Sequence, residues 1–329
     1  MVSIVGGGPA GASLATFLSG EGIDVILYEK SPERRKPCGG GFSWRVVEKY
    51  GKILHLNEVP MFGSKELFLD FEGKVIKAHS NQDLVYVVDR LVFDNHLRNL
   101  AQSNGTKIET KNIADPKEID DSLIVDSRGF EPSKKQYSLK VAICKMKEPK
   151  MMFVFRRNMI SKGYFWVFPI DESHADVGVG GIVGNIETPL KDAFDWFAKE
   201  VGATPEVNMG WGISHGRDFN NLIMDAGGKK IVKVGERAKI VNPVTGEGIY
   251  YAIRSSDILS SCILKNDLDS YQGKLKKEFN NEFLLSDIIL GMIPYLPRYI
   301  MIQLVKLAVS MILKNVEIID SNEKLLQGP

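Results

Sequence analysis

The apolar positions of residues 1–30 predict a strand, a helix and a second strand. A short β-branched run occupies residues 2–5, and a second apolar run follows at residues 25–28. Between them, the apolar residues at 14–18 have helical spacing, and the glycines just after them are typical of a helix end. This alternation predicts the first strand-helix-strand unit of a parallel sheet.

Further along the chain, the pattern predicts more strands of this sheet and a second sheet of another kind. Apolar runs at 106–110, 123–126 and 229–234 continue the parallel pattern. Short runs that follow one another closely between residues 138 and 214, with a hairpin signal at 65–79, favour a mostly antiparallel sheet. We therefore predict an α/β fold (α+β overall), in which a Rossmann-like domain carries an inserted antiparallel-sheet domain and C-terminal helices.

The last strongly apolar stretch covers residues 283–319. Pro294 and Pro297 interrupt it, and Lys306 lies inside an apolar run that is too short to span a bilayer. Helices packed over the sheet are the expected structure, and a helix that rests on a membrane surface is the alternative.

Composition and charge narrow the function mainly by exclusion. With 44% apolar residues, 25% charged residues and a net charge of +1, the chain resembles neither a disordered nor a polytopic membrane protein. It also lacks the basic stripe of a nucleic-acid binder. The first strand begins at the first residues, so we expect no signal peptide and a cytoplasmic protein. Three distant cysteines and five scattered histidines predict neither a disulfide framework nor a metal site.

Glycines between the first strand and the first helix predict a dinucleotide site. Gly6, Gly8 and Gly11 have the spacing G-x-G-x-x-G, and Glu29 follows the last of them by 18 residues, at the end of the second strand. Gly6 permits a tight turn, Gly8 lets a pyrophosphate approach the backbone, and Gly11 lets the helix pack closely. The helix N-terminus then faces the phosphates, and Glu29 can accept hydrogen bonds from a ribose.

Three consecutive glycines at 39–41 follow a basic cluster at 34–36. Such a loop is either a flexible linker or backbone that lies against a cofactor ring. Cys38 is either a buried small side chain or a functional one, and the basic cluster is either a solvated face or a contact for a substrate phosphate. Arg90, at the start of a predicted helix, is either an exposed capping residue or a flavin or substrate contact.

Two later motifs suggest where a flavin and a substrate would lie. Tyr164, Trp166 and Phe168 alternate in sequence and therefore share one face of a strand, either as ordinary core or as the lining of an apolar pocket. Glycines at 246 and 248 precede a helix predicted for about 249–264. A second helix N-terminus of this kind stabilises the negative charge of a reduced flavin, which favours a flavin over a nicotinamide cofactor.

Taken in order, these motifs resemble the flavin-dependent geranylgeranyl reductases, within the p-hydroxybenzoate hydroxylase-like flavoproteins. The resemblance covers residues 1 to about 264. It rests on the fingerprint with Glu29, the loop Pro37 to Gly41, Arg90 with Phe93 and Asp94, the strand 164–169, and Asn242-Pro243 with the turn 246–248. Two positions depart from the family pattern: its usual Gly-Asp is Gly235-Glu236 here, and its Ala-Asp-Gly turn appears as residues 126–129.

The resemblance implies FAD as the cofactor and assigns roles to residues of these motifs. The implied FAD-binding residues are Gly6, Gly8, Pro9, Ala10, Gly11, Glu29, Lys30, Cys38, Gly39, Gly40, Arg90, Asp126, Gly235, Glu236, Gly246, Gly248 and Ile249. The implied prenyl-binding residues are Tyr164, Trp166, Phe168 and Pro169, and the implied catalytic residues are Cys38, Gly39, Gly40 and Tyr164. Cys38 is expected either to shape the reactive face of the flavin or to relay a proton.

The implied activity is an FAD-dependent reduction that saturates C=C bonds of a geranylgeranyl-type prenyl chain, as in archaeal membrane lipids. A flavin-dependent monooxygenase or halogenase of the same superfamily and a non-catalytic prenyl-binding protein are the alternatives. The electron donor is expected to be NAD(P)H or a ferredoxin-like iron-sulfur protein. Peripheral contact with the inner face of the membrane stays open, and no nucleic acid is expected as a partner.

The same reading predicts three domains. Residues 1–60, 81–135 and 228–265 are expected to form a discontinuous FAD-binding domain. Residues 61–80 and 136–227 are expected to form the substrate-binding antiparallel sheet domain, and residues 266–329 a C-terminal helical cap.

Overall fold

A computed structural model of the chain describes residues 1–132, 136–216, 219–312 and 315–326, with side chains described except at residues 308 and 310–312. The strands are β1 (Val2–Val5), β2 (Val25–Glu29), β3 (Gly41–Ser43), β4 (Met61–Ser64), β5 (Glu66–Phe71), β6 (Lys74–His79), β7 (Val85–Val88), β8 (Lys107–Thr110), β9 (Leu123–Asp126), β10 (Gln136–Lys145), β11 (Met152–Phe155), β12 (Gly163–Pro169), β13 (His174–Ile182), β14 (Thr204–Ser214), β15 (Ile223–Asp225), β16 (Lys230–Lys233) and β17 (Glu317–Ser321). The α-helices are α1 (Pro9–Ser19), α2 (Arg45–Tyr50), α3 (Arg90–Ser103), α4 (Leu190–Glu200), α5 (Ile249–Leu264), α6 (Tyr271–Met292) and α7 (Arg298–Ile312).

The first sheet has six strands in the order β15-β16-β9-β1-β2-β8. Its strands are parallel except for the edge pair β15 and β16. Helix α1 packs against both α3 and α5. The core between the helices and the sheet contains fully buried side chains such as Ile4, Leu14, Phe93 and Tyr251. This is the parallel, helix-covered sheet that the N-terminal pattern predicts.

The second sheet has eight strands in the order β14-β10-β13-β12-β11-β5-β6-β17. All neighbouring pairs are antiparallel except β5 with β11. Helix α4 packs on this sheet through Phe194 and Phe197, in one cluster with Phe165. Residues of α6 and α7, among them Met301 and Ile302, share another cluster with Trp166 of β12. A small third sheet, in the order β3-β7-β4, completes the strands.

The predicted fold class, α/β and α+β overall, is confirmed. Helix α5 covers the predicted residues 249–264, and the hairpin β5–β6 turns where both Glu72 and Gly73 have positive φ values of 52° and 89°. The C-terminal stretch forms α6 and α7, with the break near Pro294 and Pro297. Several short elements were not predicted, namely β3, α2, β4, β15 and β17, the last of which pairs with β6.

The predicted domain boundaries stay a prediction, although β17 adds a strand from the region expected to form only a helical cap. Within the described ranges, no helix combines the length and the apolar character that crossing a bilayer requires.

Candidate functional site

The turn between β1 and α1 is built from glycines because side chains would collide there. Gly6 has a φ of 106°, and a Cβ on it would lie 2.6 Å from the carbonyl oxygen of Ser127. A Cβ on Gly11 would lie 1.9 Å from the carbonyl oxygen of Gly6, so the helix can approach the turn only without a side chain. Gly8 differs, since no atom of the described residues lies within 4 Å of its Cβ position.

A cleft of about 440 Å³ lies at the carboxyl ends of β1, β2 and β9, where an open α/β sheet usually binds its ligand. The predicted residues that line it are Gly6, Gly8, Pro9, Ala10, Glu29, Lys30, Cys38, Arg90, Glu236, Gly246, Gly248 and Ile249. The N-termini of α1 and α5 therefore both contribute to one cleft. Free N–H groups and the partial positive charge of a helix N-terminus suit phosphates and an anionic ring.

Glu29 and Arg98 tie the glycine turn after β1 to the loop that follows β2. Glu29 accepts a hydrogen bond from the backbone N–H of Gly7 over 2.7 Å and another from Ser31 over 2.8 Å. Arg98 is buried and donates to the carbonyls of Gly7 and Pro32 over 2.9 Å and 2.8 Å. The sequence analysis missed Arg98, although its place eight residues after Arg90 puts both arginines on one face of α3.

The basic cluster at 34–36 is tied to three separate elements. Arg35 pairs with Asp89, which caps α3, and Lys36 Nζ lies 2.6 Å from Glu236 Oε2. The Arg34 guanidinium lies 4.6 Å from the ring centroid of Trp211 on β14. The interpretation of these residues as a solvated face holds for Arg34, which is exposed, and is wrong for Arg35 and Lys36, which are partly buried in ion pairs. They hold the loop that leads to Cys38.

Arg90 lies under this loop and is only 3% exposed. It donates to both carboxylate oxygens of Asp94, over 3.1 Å and 2.9 Å, while Asp89 caps the helix. Burial acts to lower the pKa of Arg90, but Asp94 and then Cys38 raise it, and the net shift is upward. The interpretation of Arg90 as an exposed capping residue is wrong. It is a buried cation beside the sulfur of Cys38, at the lining of the cleft.

Asp126 lies behind the lining and holds two arginines at the cleft. Its Oδ2 accepts from Arg128 Nη2 over 2.7 Å and from Arg237 Nε over 2.8 Å. Burial acts to raise the pKa of Asp126, but these two arginines outweigh it and the net shift is downward. Arg128 and Arg237 themselves line the cleft. A direct contact between Asp126 and a cofactor stays a prediction.

The glycines at 39–41 lie against aromatic rings of the second sheet. A Cβ on Gly39 would lie 2.8 Å from Phe168 Cδ2 and 2.9 Å from Trp166 Nε1. A Cβ on Gly41 would also lie 2.8 Å from Phe168. Gly40 has a φ of 67°, and its Cβ position lies 2.1 Å from the carbonyl oxygen of Val88. The loop thus runs between the cleft, which Cys38 lines, and the rings of β12.

These rings form what we call the aromatic wall: Tyr164, Trp166 and Phe168 of β12, with Phe153 of β11. Ring centroids are 5.9 Å apart for Tyr164 and Trp166, and 5.2 Å apart for Phe153 and Phe168. Trp166 and Phe168 are buried, and Pro169 ends the strand behind them. The Tyr164 hydroxyl donates to the carbonyl of Thr245, just before the Gly246 turn, and burial raises its pKa. The role of the wall in substrate binding stays a prediction.

The residues of the cleft fit FAD. Glu236 Oε1 is buried and has no hydrogen-bond partner within the described chain, so a hydroxyl donor of a bound ligand would satisfy it. Gly8 leaves open space at the N-terminus of α1, and Gly235, with a φ of 62°, brings the Glu236 turn against Ala10. Gly248 and Ile249 open α5 at the other side of the cleft.

Comparisons with known proteins agree with this site. Residues 1–112 match the model of an FAD binding domain. A digeranylgeranylglycerophospholipid reductase of Thermoplasma acidophilum is 26% identical over 86% of this chain and 85% of its own length. A reductase of the same name from Methanocaldococcus jannaschii is 24% identical over 87% of this chain and 84% of its own.

Among solved structures, a geranylgeranyl bacteriochlorophyll reductase-like protein of Thermoplasma acidophilum aligns with a TM-score of 0.75 at 20% identity, over 96% of this chain and 93% of that one. A flavin-dependent brominase aligns with a TM-score of 0.70 at 15% identity, over 94% and 92%. The predicted resemblance to geranylgeranyl reductases, the cofactor FAD and the class of FAD-dependent oxidoreductase are confirmed by these findings. The structural likenesses by themselves concern the fold.

Proposed function

We propose that this protein is an FAD-dependent reductase that saturates C=C bonds in a prenyl chain of the geranylgeranyl type. One observation carries the proposal: the loop of Cys38 to Gly41 separates an FAD-binding cleft from an apolar aromatic wall. The relatives support the type of reaction, since their name describes the reduction of a lipid that carries geranylgeranyl chains.

Several residues would hold the cofactor. Gly8 and the N-terminus of α1 would receive the pyrophosphate, and Glu236 would accept a hydroxyl hydrogen bond from the chain that joins the phosphates to the ring. The N-terminus of α5 would lie near the negative charge of the reduced ring. Bound FAD, once reduced, supplies a hydride equivalent for the substrate.

The remaining residues have to align an unactivated alkene and keep water away from it. An isolated C=C bond has no oxygen that a polar group could stabilise, so position and a nearby proton source must provide most of the rate. Trp166 and Phe168 offer flat, buried, apolar surface for this purpose. Cys38 stays the candidate that either shapes the reactive face or relays the proton, with the buried guanidinium of Arg90 beside its sulfur.

The partners follow from the substrate. The donor of electrons is NAD(P)H or a ferredoxin-like protein, and the structure favours neither. An apolar surface supports contact with a membrane: the exposed residues Leu284, Leu285, Ile288, Met292, Tyr295 and Tyr299 belong to α6 and to the corner before and at the start of α7. Their neighbours Ile293 and Met301 pack inward in one cluster with the aromatic wall. The exposed apolar surface thus lies on the outer side of the cluster that contains the wall.

The test is a reduction assay with matched variants. Chemically reduced, FAD-loaded protein is incubated without oxygen with a geranylgeranyl lipid, and mass spectrometry should show products heavier by two hydrogens for each reduced bond. Gly8→Ala, which places a methyl group in the cleft, should bind FAD more weakly and form less product. Gly273→Ala on α6, where no atom lies within 4 Å of the Cβ position, should keep both. Unchanged lipid, with the flavin still reduced at the end of the incubation, would overturn the proposal.

The same preparation separates the two alternatives. A monooxygenase or halogenase should consume oxygen rapidly when its substrate is added, whereas the reductase needs none. A non-catalytic prenyl-binding protein should bind the lipid and stay colourless after reconstitution with FAD. Sedimentation with vesicles of phosphatidylglycerol tests the membrane surface separately, with Tyr295→Ser and Tyr299→Ser expected to weaken binding.

A further inference from the structure

A buried carboxyl group lies beside the aromatic wall and has no role in the function proposed above. Asp176 on β13 is 1% exposed, and it lies opposite Phe168 of β12 and Ile143 of β10. Residues directly opposite each other in a sheet project to the same face. Asp176 therefore projects to the face that carries Trp166 and Phe168.

Trp166 is confined on this face from two sides. Its indole nitrogen donates a hydrogen bond to Asp176 Oδ1 over 2.9 Å. A Cβ on Gly178 would lie 2.1 Å from Cζ2 of the indole, so the ring lies directly against the glycine backbone. The loop of residues 38–41 approaches from the other side, since the Cβ position of Gly39 lies 2.9 Å from Trp166 Nε1. The indole thus fills the space between β13 and the loop that borders the cleft.

The surroundings of Asp176 favour the neutral acid. Burial is the largest effect and raises the pKa of Asp176 to about 8, against the lowering effects of the Trp166 hydrogen bond and of Arg35. Asp89 raises the pKa of Asp176 further, and the nearby thiol of Cys144 has a pKa of about 12, raised by burial first and by Asp176 second. Arg35 forms an ion pair with Asp89 rather than with Asp176. Asp176 Oδ2 is buried without a hydrogen-bond partner among the residues described.

We propose that Asp176 is a positioning residue, whose carboxyl group holds the Trp166 indole between Gly178 and the loop of residues 38–41 by accepting the indole hydrogen bond. The proposal depends on the proposed function only for the step in which Trp166 touches the prenyl chain. The positioning itself is a property of the protein without substrate. Because Gly39 lies directly on the indole, a displaced Trp166 would also disturb the loop that carries Cys38.

Three variants of the FAD-loaded protein test this proposal. Asp176→Asn keeps an oxygen that can accept from the indole but carries no ionisable proton. Asp176→Leu removes the acceptor and leaves the indole N–H buried without one. Glu172→Gln changes an exposed acid in the turn before β13 and is the control.

The readouts that need no substrate are near-ultraviolet circular dichroism, the visible spectrum of the bound flavin, and the thermal midpoint as a function of pH. Asp176→Leu should change both spectra, and Asp176→Asn and Glu172→Gln should retain them. In the unaltered protein, the spectra should change as the pH rises through about 8, where Asp176 ionises, and Asp176→Asn should abolish that change. With a geranylgeranyl lipid, Asp176→Leu should raise KM about tenfold, as expected when a buried donor loses its acceptor.

Trp166→Phe keeps the proposal testable if Asp176→Leu does not fold. It removes the donor and keeps an aromatic ring, so the pH transition should move upward, because the hydrogen bond that favours the carboxylate is gone. A transition that stays in place would overturn the proposal. Unchanged spectra and an unchanged KM in Asp176→Leu would also overturn it. If Asp176→Asn kept its spectra but reduced no lipid, Asp176 would be a proton donor and the proposal would again be overturned. A protein that passes the spectral tests and reduces no prenyl lipid would instead refute the proposed function alone.

Discussion

Placing one methyl group on Gly39 should show how rigidly the loop and the aromatic wall are packed. The Cβ of Gly39→Ala would lie 2.8 Å from Phe168 Cδ2 and 2.9 Å from Trp166 Nε1, closer than the ordinary contact range that begins at 3.4 Å. Neither ring can retreat easily. Trp166 lies against the backbone of Gly178, and Phe168 packs on Phe153 with ring centroids 5.2 Å apart. The loop must move instead.

We expect Gly39→Ala to lower the free energy of unfolding by about 1–3 kcal/mol, the usual cost of an overpacked core position. For a chain of 329 residues, about 1 kcal/mol corresponds to a shift of about 1.5 °C in Tm. The affinity for FAD should fall as well, because the displaced loop carries Cys38 at the lining of the cleft.

Urea unfolding followed by circular dichroism and titration with FAD followed by flavin fluorescence measure the two effects. Gly273→Ala is the matched control, since it lies in α6 with no atom within 4 Å of its Cβ position and should gain up to about 1 kcal/mol. Phe168→Leu replaces the ring by a smaller side chain and so leaves room for the Cβ of residue 39. Adding Gly39→Ala to Phe168→Leu should therefore cost less stability than adding Gly39→Ala to the unaltered protein. A Gly39→Ala protein that unfolds at the same urea concentration as the unaltered chain, and binds FAD equally well, would refute the rigid contact.

Three further predictions concern the cleft. Gly8→Ala should leave the unfolding of the free protein unchanged, because no atom lies near its Cβ position, but should weaken FAD binding by about 1.4 kcal/mol, or tenfold, in a fluorescence titration. Arg98→Met keeps the apolar stem and loses the hydrogen bonds to Gly7 and Pro32, so urea unfolding should show a loss of about 1.5–3 kcal/mol. Asp126 has a lowered pKa, so the stability from its arginine pairs is present above its unfolded pKa of about 3.9 and is lost as the pH falls through the lower folded value. Asp126→Asn should therefore be less stable at pH 7 and should lose less stability than the unaltered protein between pH 5 and pH 3.

Local patterns predicted the elements of the fold because their causes are local. Gly6 and Gly11 have to stand where the turn meets the helix, because a Cβ at either position would collide with the backbone. The apolar spacing of residues 249–264 belongs to one buried helix face. Strand β17 was not predicted because its only apolar residues are Ile318 and Ile319. It pairs at the edge of a sheet with a strand that is far away in sequence.

The side-chain partners could not be predicted from the sequence, since each depends on elements that meet only in the folded chain. Lys36 and Glu236 are 200 residues apart and join across the cleft. Arg35 of the basic cluster at 34–36 pairs with Asp89, a partner that the sequence does not indicate. The sequence places Arg90 at the start of a helix, but it does not show that Arg90 is buried beside Asp94. Ion pairs that are buried, such as Arg90 with Asp94, or partly buried, such as Arg35 with Asp89, have the composition of a solvated surface, and only the tertiary arrangement distinguishes them.

Strand β17 also covers the edge of the second sheet and so prevents β6 from pairing with strands of other molecules. It hydrogen-bonds to β6 from Val75 to His79, and Lys306 of α7 fixes it through a contact of 2.8 Å with Asp320. Deleting residues 315–326 would uncover the backbone N–H and C=O groups of β6, whose side chains Val75, Ile76 and Ala78 are apolar. An open apolar edge of this kind recruits strands from other molecules, so the shortened chain should form fibrillar or amorphous aggregates at concentrations where the complete one stays dispersed.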